Sequence, residues 1–224
     1  METYRHPAED HRLASTGMCL SSRMDFKEVV RTRKMVRSFA DETIDPNVVE
    51  RILDTARRGP SAGFSQGVEF VVIFDSSIRQ KIAAPAQEFV DISGHHNFVA
   101  QAPVHVVVCV SPEVYRSRYR EPDKMQVRGH LDDDVLWAVP YWYTDAGAAV
   151  QLLLMAAVNE GVAAAFVGSD TDMLRGLLGI PEDYIPVGIA LLGHAAPDAS
   201  DFGDVGAQPR PRRPYSEVVH QERW

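Results

Sequence analysis

Ordered spacing of apolar and polar residues begins near residue 24. Over Asp25-Phe26-Lys27-Glu28-Val29-Val30 the apolar positions fall at i, i+3 and i+4, which predicts a helix capped by Asp25 and running into Arg31-Thr32-Arg33. A second helix starts after Asp45, with Pro46 in its first turn. Val49, Ile52, Leu53 and Ala56 share one of its faces, and Gly59-Pro60 stops it. Glu69–Phe74 reads as a strand, and Ile78 and Ile82 place a helix from about Ser77. Val104–Val110 is an apolar run, the mark of a central strand covered on both faces. Asp145–Glu160 reads as a helix that is apolar nearly all round and ends at Gly161, so it belongs in a core or at a subunit interface. A short helix capped near Asp170 carries Met173, Leu174, Leu177 and Leu178 and ends at Gly179 and Pro181, and Val187–Leu192 is a third strand. Helices and strands mix without regular alternation, which predicts an α+β fold, a central sheet flanked by helices.

The two ends lack this pattern. Residues 1–23 read as a loose, flexible tail, with Met24 as an alternative start, and residues 195–224, rich in Pro, Asp and Arg, read as an extended arm. The length of 224 residues, with 45% hydrophobic and 24% charged, suits one domain over 24–224 with a sizeable core. A net charge of −8 argues against a nucleic-acid binder, which needs a basic face. The N-terminus has no apolar leader, and the longest apolar stretch, Ala146–Val158, is too short to span a bilayer, so the expected location is the cytoplasm, off the membrane.

Several chemistries lack their motifs. No Gly-x-Gly-x-x-Gly follows a strand, and neither a P-loop nor His-Glu-x-x-His is present. His95-His96 are adjacent, so their rings diverge, and Asp132-Asp133-Asp134 reads as a solvated turn; no metal site is expected. Cys19 and Cys109 read as one exposed and one buried thiol rather than a disulfide.

Two basic clusters stand out on this acidic chain, Arg31-Thr32-Arg33-Lys34-Met35-Val36-Arg37 and Arg210-Pro211-Arg212-Arg213-Pro214. Arginine forks suit phosphate oxygens, although solvated basic patches give the same pattern. Gly59-Pro60-Ser61-Ala62-Gly63-Phe64-Ser65-Gln66 joins the second helix to the first strand. Its small residues let backbone approach a flat ligand, with N–H groups able to face a ring edge; it also reads as an ordinary loop. Tyr115, Tyr119, Trp137, Tyr141, Trp142 and Tyr143 concentrate in an insertion over 111–143. Rings there suit stacking on a planar substrate, or packing in the core.

In order and spacing, Arg33–Phe39, Pro60–Gln66 and Arg210–Pro214 followed by Glu217-Val218-Val219-His220 resemble the FMN-dependent nitroreductase family; Asp145–Ala149 and Leu178–Pro181 are weaker matches. The likeness covers about residues 25–224. It implies a mostly antiparallel central sheet, with the C-terminal arm exchanged between the subunits of a homodimer. It implies that Arg33, Lys34 and Met35, with Arg210 and Arg212, line the FMN phosphate and ribityl chain. Arg37 falls near the pyrimidine edge, where a cation favours the anionic reduced ring. Pro60, Ser61, Ala62 and Gly63 fall on a loop that reaches the flavin from the other subunit, and Ala165, Val167 and Gly168 fall over the opposite edge. The insertion then acts as a lid, and Phe64, Tyr115, Trp137, Tyr141 and Trp142 become candidate contacts of a small-molecule substrate. The implied reaction carries electrons from NADH or NADPH to a small aromatic or quinone-like acceptor by ping-pong exchange, with no side chain obliged to act as acid or base. Met35, Phe64 and Gly67-Val68 depart from the family's usual Ser, Asn and Pro-Trp. The Gly63-Phe64 pair is similar to the oxygen-using flavin destructase branch, and a flavin carrier without turnover is the reading outside enzymes.

Overall fold

A computed structural model describes residues 24–93, 97–197 and 211–224, without the side chains of 88–93. The N-terminal tail, Cys19, His95, His96 and Arg210 lie outside the described residues.

Helix α1 (Phe26–Thr32) starts where Asp25 accepts a hydrogen bond from the Glu28 N–H at 3.0 Å. Helix α2 (Pro46–Ala56) is capped in the same way by Asp45. Strand β1 (Val68–Ile73) leads to α3 (Ser76–Ser93), α4 (Phe98–Gln101) and β2 (Val104–Val110). The insertion folds as three short helices, α5 (Pro112–Tyr119), α6 (Pro122–Arg128) and α7 (Asp133–Leu136). Then come α8 (Tyr141–Asn159), β3 (Ala163–Val167), α9 (Thr171–Leu178) and β4 (Ile185–Gly193).

Several of these differ from the sequence reading: α4–α7 were not predicted, and β4 extends beyond the expected Val187–Leu192 at both ends. β1 runs one residue earlier, because its ladder with β2 ends at Ile73 opposite His105 and leaves Phe74 exposed. α8 begins at Tyr141 rather than Asp145, since Asp145 turns its carboxylate inward. β3 is a fourth strand hidden by its alanines, which carry little strand preference of their own; pairing with β4 creates it.

The sheet has the order β1-β2-β4-β3 and every pairing is antiparallel. Strand alternation sends Val104, Val106, Ala190 and Leu192 to the face covered by α2 and α8. It sends Val107, Cys109, Ile189 and Leu191 to the face that carries residues of α3, α4 and α9. His105 is fully buried on this second side, its Nε2 2.8 Å from the Val99 carbonyl oxygen, and burial pushes its pKa down to about 4. Burial pushes the Cys109 thiol up to about 11, so it is an inert core group. A smaller cluster of Val110, Tyr115, Trp142 and Ala146 seals the end of the sheet beneath α5. On α8, Ala148, Leu152 and Met155 remain only half-buried. Every residue of 211–224 is exposed, including Tyr215 and Trp224.

Candidate functional site

After α1 the chain runs along the outer edge of β3. The Val36 N–H donates to the Ala164 carbonyl at 3.0 Å, and the Ala40 N–H donates to the His194 carbonyl at 2.9 Å. These bonds lay Arg33–Arg37 beside Ala165–Gly168, two stretches that are far apart in sequence. Within the basic stretch the side chains diverge. Lys34 is exposed, while Met35 packs against the core and so offers no polar contact to a ribityl chain. Arg33 Nη1 is buried and makes no hydrogen bond among the described residues. Such a stranded donor costs about 1–3 kcal/mol. Arg37 is half-buried with its guanidinium carbon 5.4 Å from the centre of the Phe98 ring, and burial lowers its pKa. Across from them, Ala165 is 1% exposed with its side chain in the core, so a cofactor could meet only its backbone. Val167 packs partly on the same cluster, and Gly168 is exposed with open space where a Cβ would stand.

The loop after α2 has a different character. Most of its backbone donors are spent inside the chain: Ala62 N–H on Asp145 Oδ2 at 2.7 Å, Phe64 N–H on the Ser61 carbonyl at 2.8 Å, and Gln66 N–H on Ser61 Oγ at 2.8 Å. The Ser65 N–H and hydroxyl both go to the Ala62 carbonyl. These N–H groups therefore do not face a ring edge, contrary to the expectation from small residues alone. What the loop offers outward is Phe64, 73% exposed. Gly63, Phe64 and Gln66 all lie in the left-handed region, at φ 62, 57 and 58°. For the two residues with side chains that costs of order 1–3 kcal/mol each.

The aromatic insertion packs onto this loop. A Cβ at Gly63 would stand 2.6 Å from the Tyr119 ring, and one at Gly67 would stand 2.6 Å from the Tyr115 ring. The glycine at 67, where the family usually has proline, is thus required by a ring of α5. Tyr115 is fully buried and donates to Asp145 Oδ2 at 2.8 Å; burial and that carboxylate together push its hydroxyl pKa up. Trp142 is also buried and stacks edgewise on Tyr115. Neither ring can touch a substrate in this arrangement, which corrects the expectation for both: they are the hydrophobic floor of the insertion. Trp137 is half-buried between Tyr119 and Trp142, and Tyr141 is exposed. Pro60 is exposed, and Arg212 lies in the exposed arm, where Arg213 is turned onto Glu217.

Two residues escaped the sequence reading. Asp145 is 8% exposed and accepts from both the loop and α5, and a lone carboxylate heading an apolar helix was the available signal. Arg118 donates from Nε to the Gly63 carbonyl at 3.0 Å and holds Asp123 through both Nη atoms, lowering that carboxyl to about 2. No sequence signal marked it. Among the described residues no cluster of His, Cys, Asp or Glu could hold a metal ion, and no helix is long and apolar enough to cross a membrane.

The Nitroreductase family model matches residues 30–194, well over half of the chain. The FMN reductase [NAD(P)H] of Bacillus subtilis is 25% identical over 207 residues, covering 88% of this chain and 74% of its own. The iodotyrosine deiodinase of Haliscomenobacter hydrossis is 28% identical over 205 residues, covering 80% and 85%. The solved structure of B. megaterium NfrA2 superposes with a TM-score of 0.65 at 22% identity, over 88% of this chain and 73% of that one, a likeness of fold.

Proposed function

The chain belongs to the nitroreductase family, and from that premise we propose that it is an FMN-dependent oxidoreductase carrying electrons from NADH or NADPH to a small planar acceptor. Relatives named FMN reductase [NAD(P)H] and NADPH-dependent oxidoreductase support the class. The observation that carries the reading to this chain is Arg33, whose buried Nη1 lacks an acceptor among the described residues beside the sheet edge. A bound phosphate supplies what that donor lacks, and paired arginine–phosphate bonds are the strong kind.

Arg33 and Lys34 would hold the FMN phosphate, joined by Arg210 and Arg212 from the arm of a second subunit. Arg37, partly removed from water, would stand by the pyrimidine edge and favour the negative charge of the reduced ring. Gly168 leaves room for a flat ligand to lie against backbone. FMN, when bound, supplies two-electron exchange with nicotinamide and then with the acceptor, so the side chains here bind, orient and shield. Features of α8 and the arm support a homodimer. Ala148, Leu152 and Met155 are left half-covered in one chain, and every residue of 211–224 is exposed.

An absorbance spectrum of the purified protein, taken before and after anaerobic NADPH, tests the proposal. A yellow protein that bleaches, with heat-released FMN, is expected. A colourless protein that refuses added FMN, or one that releases FAD, would overturn it. Destruction of the bound flavin under oxygen would favour the destructase reading, and tight FMN without turnover a carrier.

A further inference from the structure

The loop that carries Phe64 is held from outside at one particular peptide. The Gly63–Phe64 bond has its N–H on the Ser61 carbonyl at 2.8 Å and its carbonyl under Arg118 Nε at 3.0 Å. Holding both ends of that plane fixes ψ of Gly63 and φ of Phe64, the angles that keep Phe64 left-handed. A phenylalanine in this region does not stay there unaided, because its Cβ crowds the following carbonyl. Its ring is nevertheless 73% exposed, so core packing of the ring is not what holds it.

Arg118 is itself aimed. Its Nη1 donates to Glu121 Oε2 at 2.8 Å and to Asp123 Oδ1 at 2.7 Å, and its Nη2 donates to Asp123 Oδ2 at 2.7 Å. The paired grip of Asp123 orients the guanidinium plane and leaves Nε–H for the loop. The neighbouring Tyr119 ring lies against Gly63, backed by the Lys124 stem. The α5–α6 hairpin is thus latched to the loop at the residue immediately before Phe64.

We propose that Arg118 is a positioning residue: by fixing the Gly63–Phe64 peptide it presents the Phe64 ring as a preformed stacking surface for a planar, aromatic or quinoid acceptor. This rests on the oxidoreductase reading above. The hairpin supplies the geometry and Phe64 the contact, so the effect of Arg118 passes through Phe64.

Two measurements test this on Arg118→Met, Arg118→Lys, Phe64→Ala and the double variant Arg118→Met/Phe64→Ala. The first is amide hydrogen exchange of residues 62–66 in the cofactor-free protein. Both Arg118 variants are expected to exchange at least about tenfold faster at Phe64 than wild type, because neither offers the Nε–H. The second is steady-state reduction of menadione by the FMN-loaded enzyme. Phe64→Ala is expected to raise KM about tenfold, the scale of one lost aromatic contact, with Arg118→Met raising it by up to that amount. The double variant should be no worse than Phe64→Ala, since residues acting through one contact do not add. Unchanged exchange in Arg118→Met, additive KM effects, or wild-type behaviour of Arg118→Lys would each overturn the role of Arg118. A wild-type protein that reduces no menadione would sink the oxidoreductase reading instead.

Discussion

In the loop Ser61–Gln66 the N–H groups of residues 62, 64, 65 and 66 all find acceptors within the chain, whereas in the stretch Arg33–Arg37 the Nη1 of Arg33 is buried with none among the described residues. The tension in the loop is conformational, two left-handed side-chain-bearing residues, and hydrogen bonds from α5 and α8 compensate it. The tension in the basic stretch is a buried donor without an acceptor among the described residues, which a phosphate oxygen would satisfy with a charge-assisted bond. On the proposed reading, one half of the candidate site has its shape settled by the chain alone, while the other would be completed by the ligand. A site divided in this way keeps its specificity rigid and leaves the driving force for binding to charge.

Asp145→Ala bears hardest on this contrast. It strands the Ala62 N–H and the Tyr115 hydroxyl, each at about 1–3 kcal/mol, so cofactor-free protein should unfold at a clearly lower urea concentration. An unchanged midpoint would mean that the loop is not built from α8. Arg33→Met should do the reverse. Losing a charge-assisted pair costs roughly 1.5–3 kcal/mol, so FMN should bind about 10- to 100-fold more weakly by fluorescence titration, with the cofactor-free protein no less stable than before. Arg212→Ala should weaken FMN on the same scale, while Arg213→Ala, whose side chain is engaged with Glu217, should not.

Acid gives a control on the scaffold that lies outside both regions. His105 titrates at about 4 in the folded protein and near 6.5 once unfolded. Below pH 6.5 the unfolded chain gains a proton that the folded one refuses, so stability falls from there down to about pH 4 and then levels off. The loss between pH 7 and pH 5 is about 2 kcal/mol in urea titrations. His105→Leu should remove that slope; a slope that survives in the variant would place the acid sensitivity elsewhere. The smallest effect is expected from Arg37→Gln. Without the cation the bound flavin should become harder to reduce by tens of millivolts, about 30 mV for each 1.4 kcal/mol of lost attraction. A changed melting temperature with an unchanged midpoint potential would make Arg37 a purely structural cation.

Much of this was legible along the chain. The caps at Asp25, Asp45 and Asp170, the breaks at Gly59-Pro60 and Gly179, and the buried strand Val104–Val110 are local signals, and each has its counterpart in the fold. β3 was not legible as a strand, because Ala163-Ala164-Ala165 becomes one only through the ladder with β4. Tyr115 and Trp142 misled for a related reason. An aromatic has the same composition whether it floors a lid or faces a substrate, and burial alone separates the two.

The amino-acid sequence by itself determined α1, α2, α3, α8 and α9, the strands β1, β2 and β4 and the α+β class, because those follow from periodicity and capping at short range, and the likeness of its motifs pointed to the family. Only the tertiary structure decided which groups in the candidate site are already spent and which still lack an acceptor. Asp145 reaches Ala62 across 83 residues and Arg118 reaches Gly63 across 55, and Arg33 Nη1 is buried without an acceptor among the described residues in the stretch that Val36 bonds to β3. Hydrogen-bond satisfaction depends on what folding brings within 3 Å, and no pattern of neighbours along a chain encodes that distance.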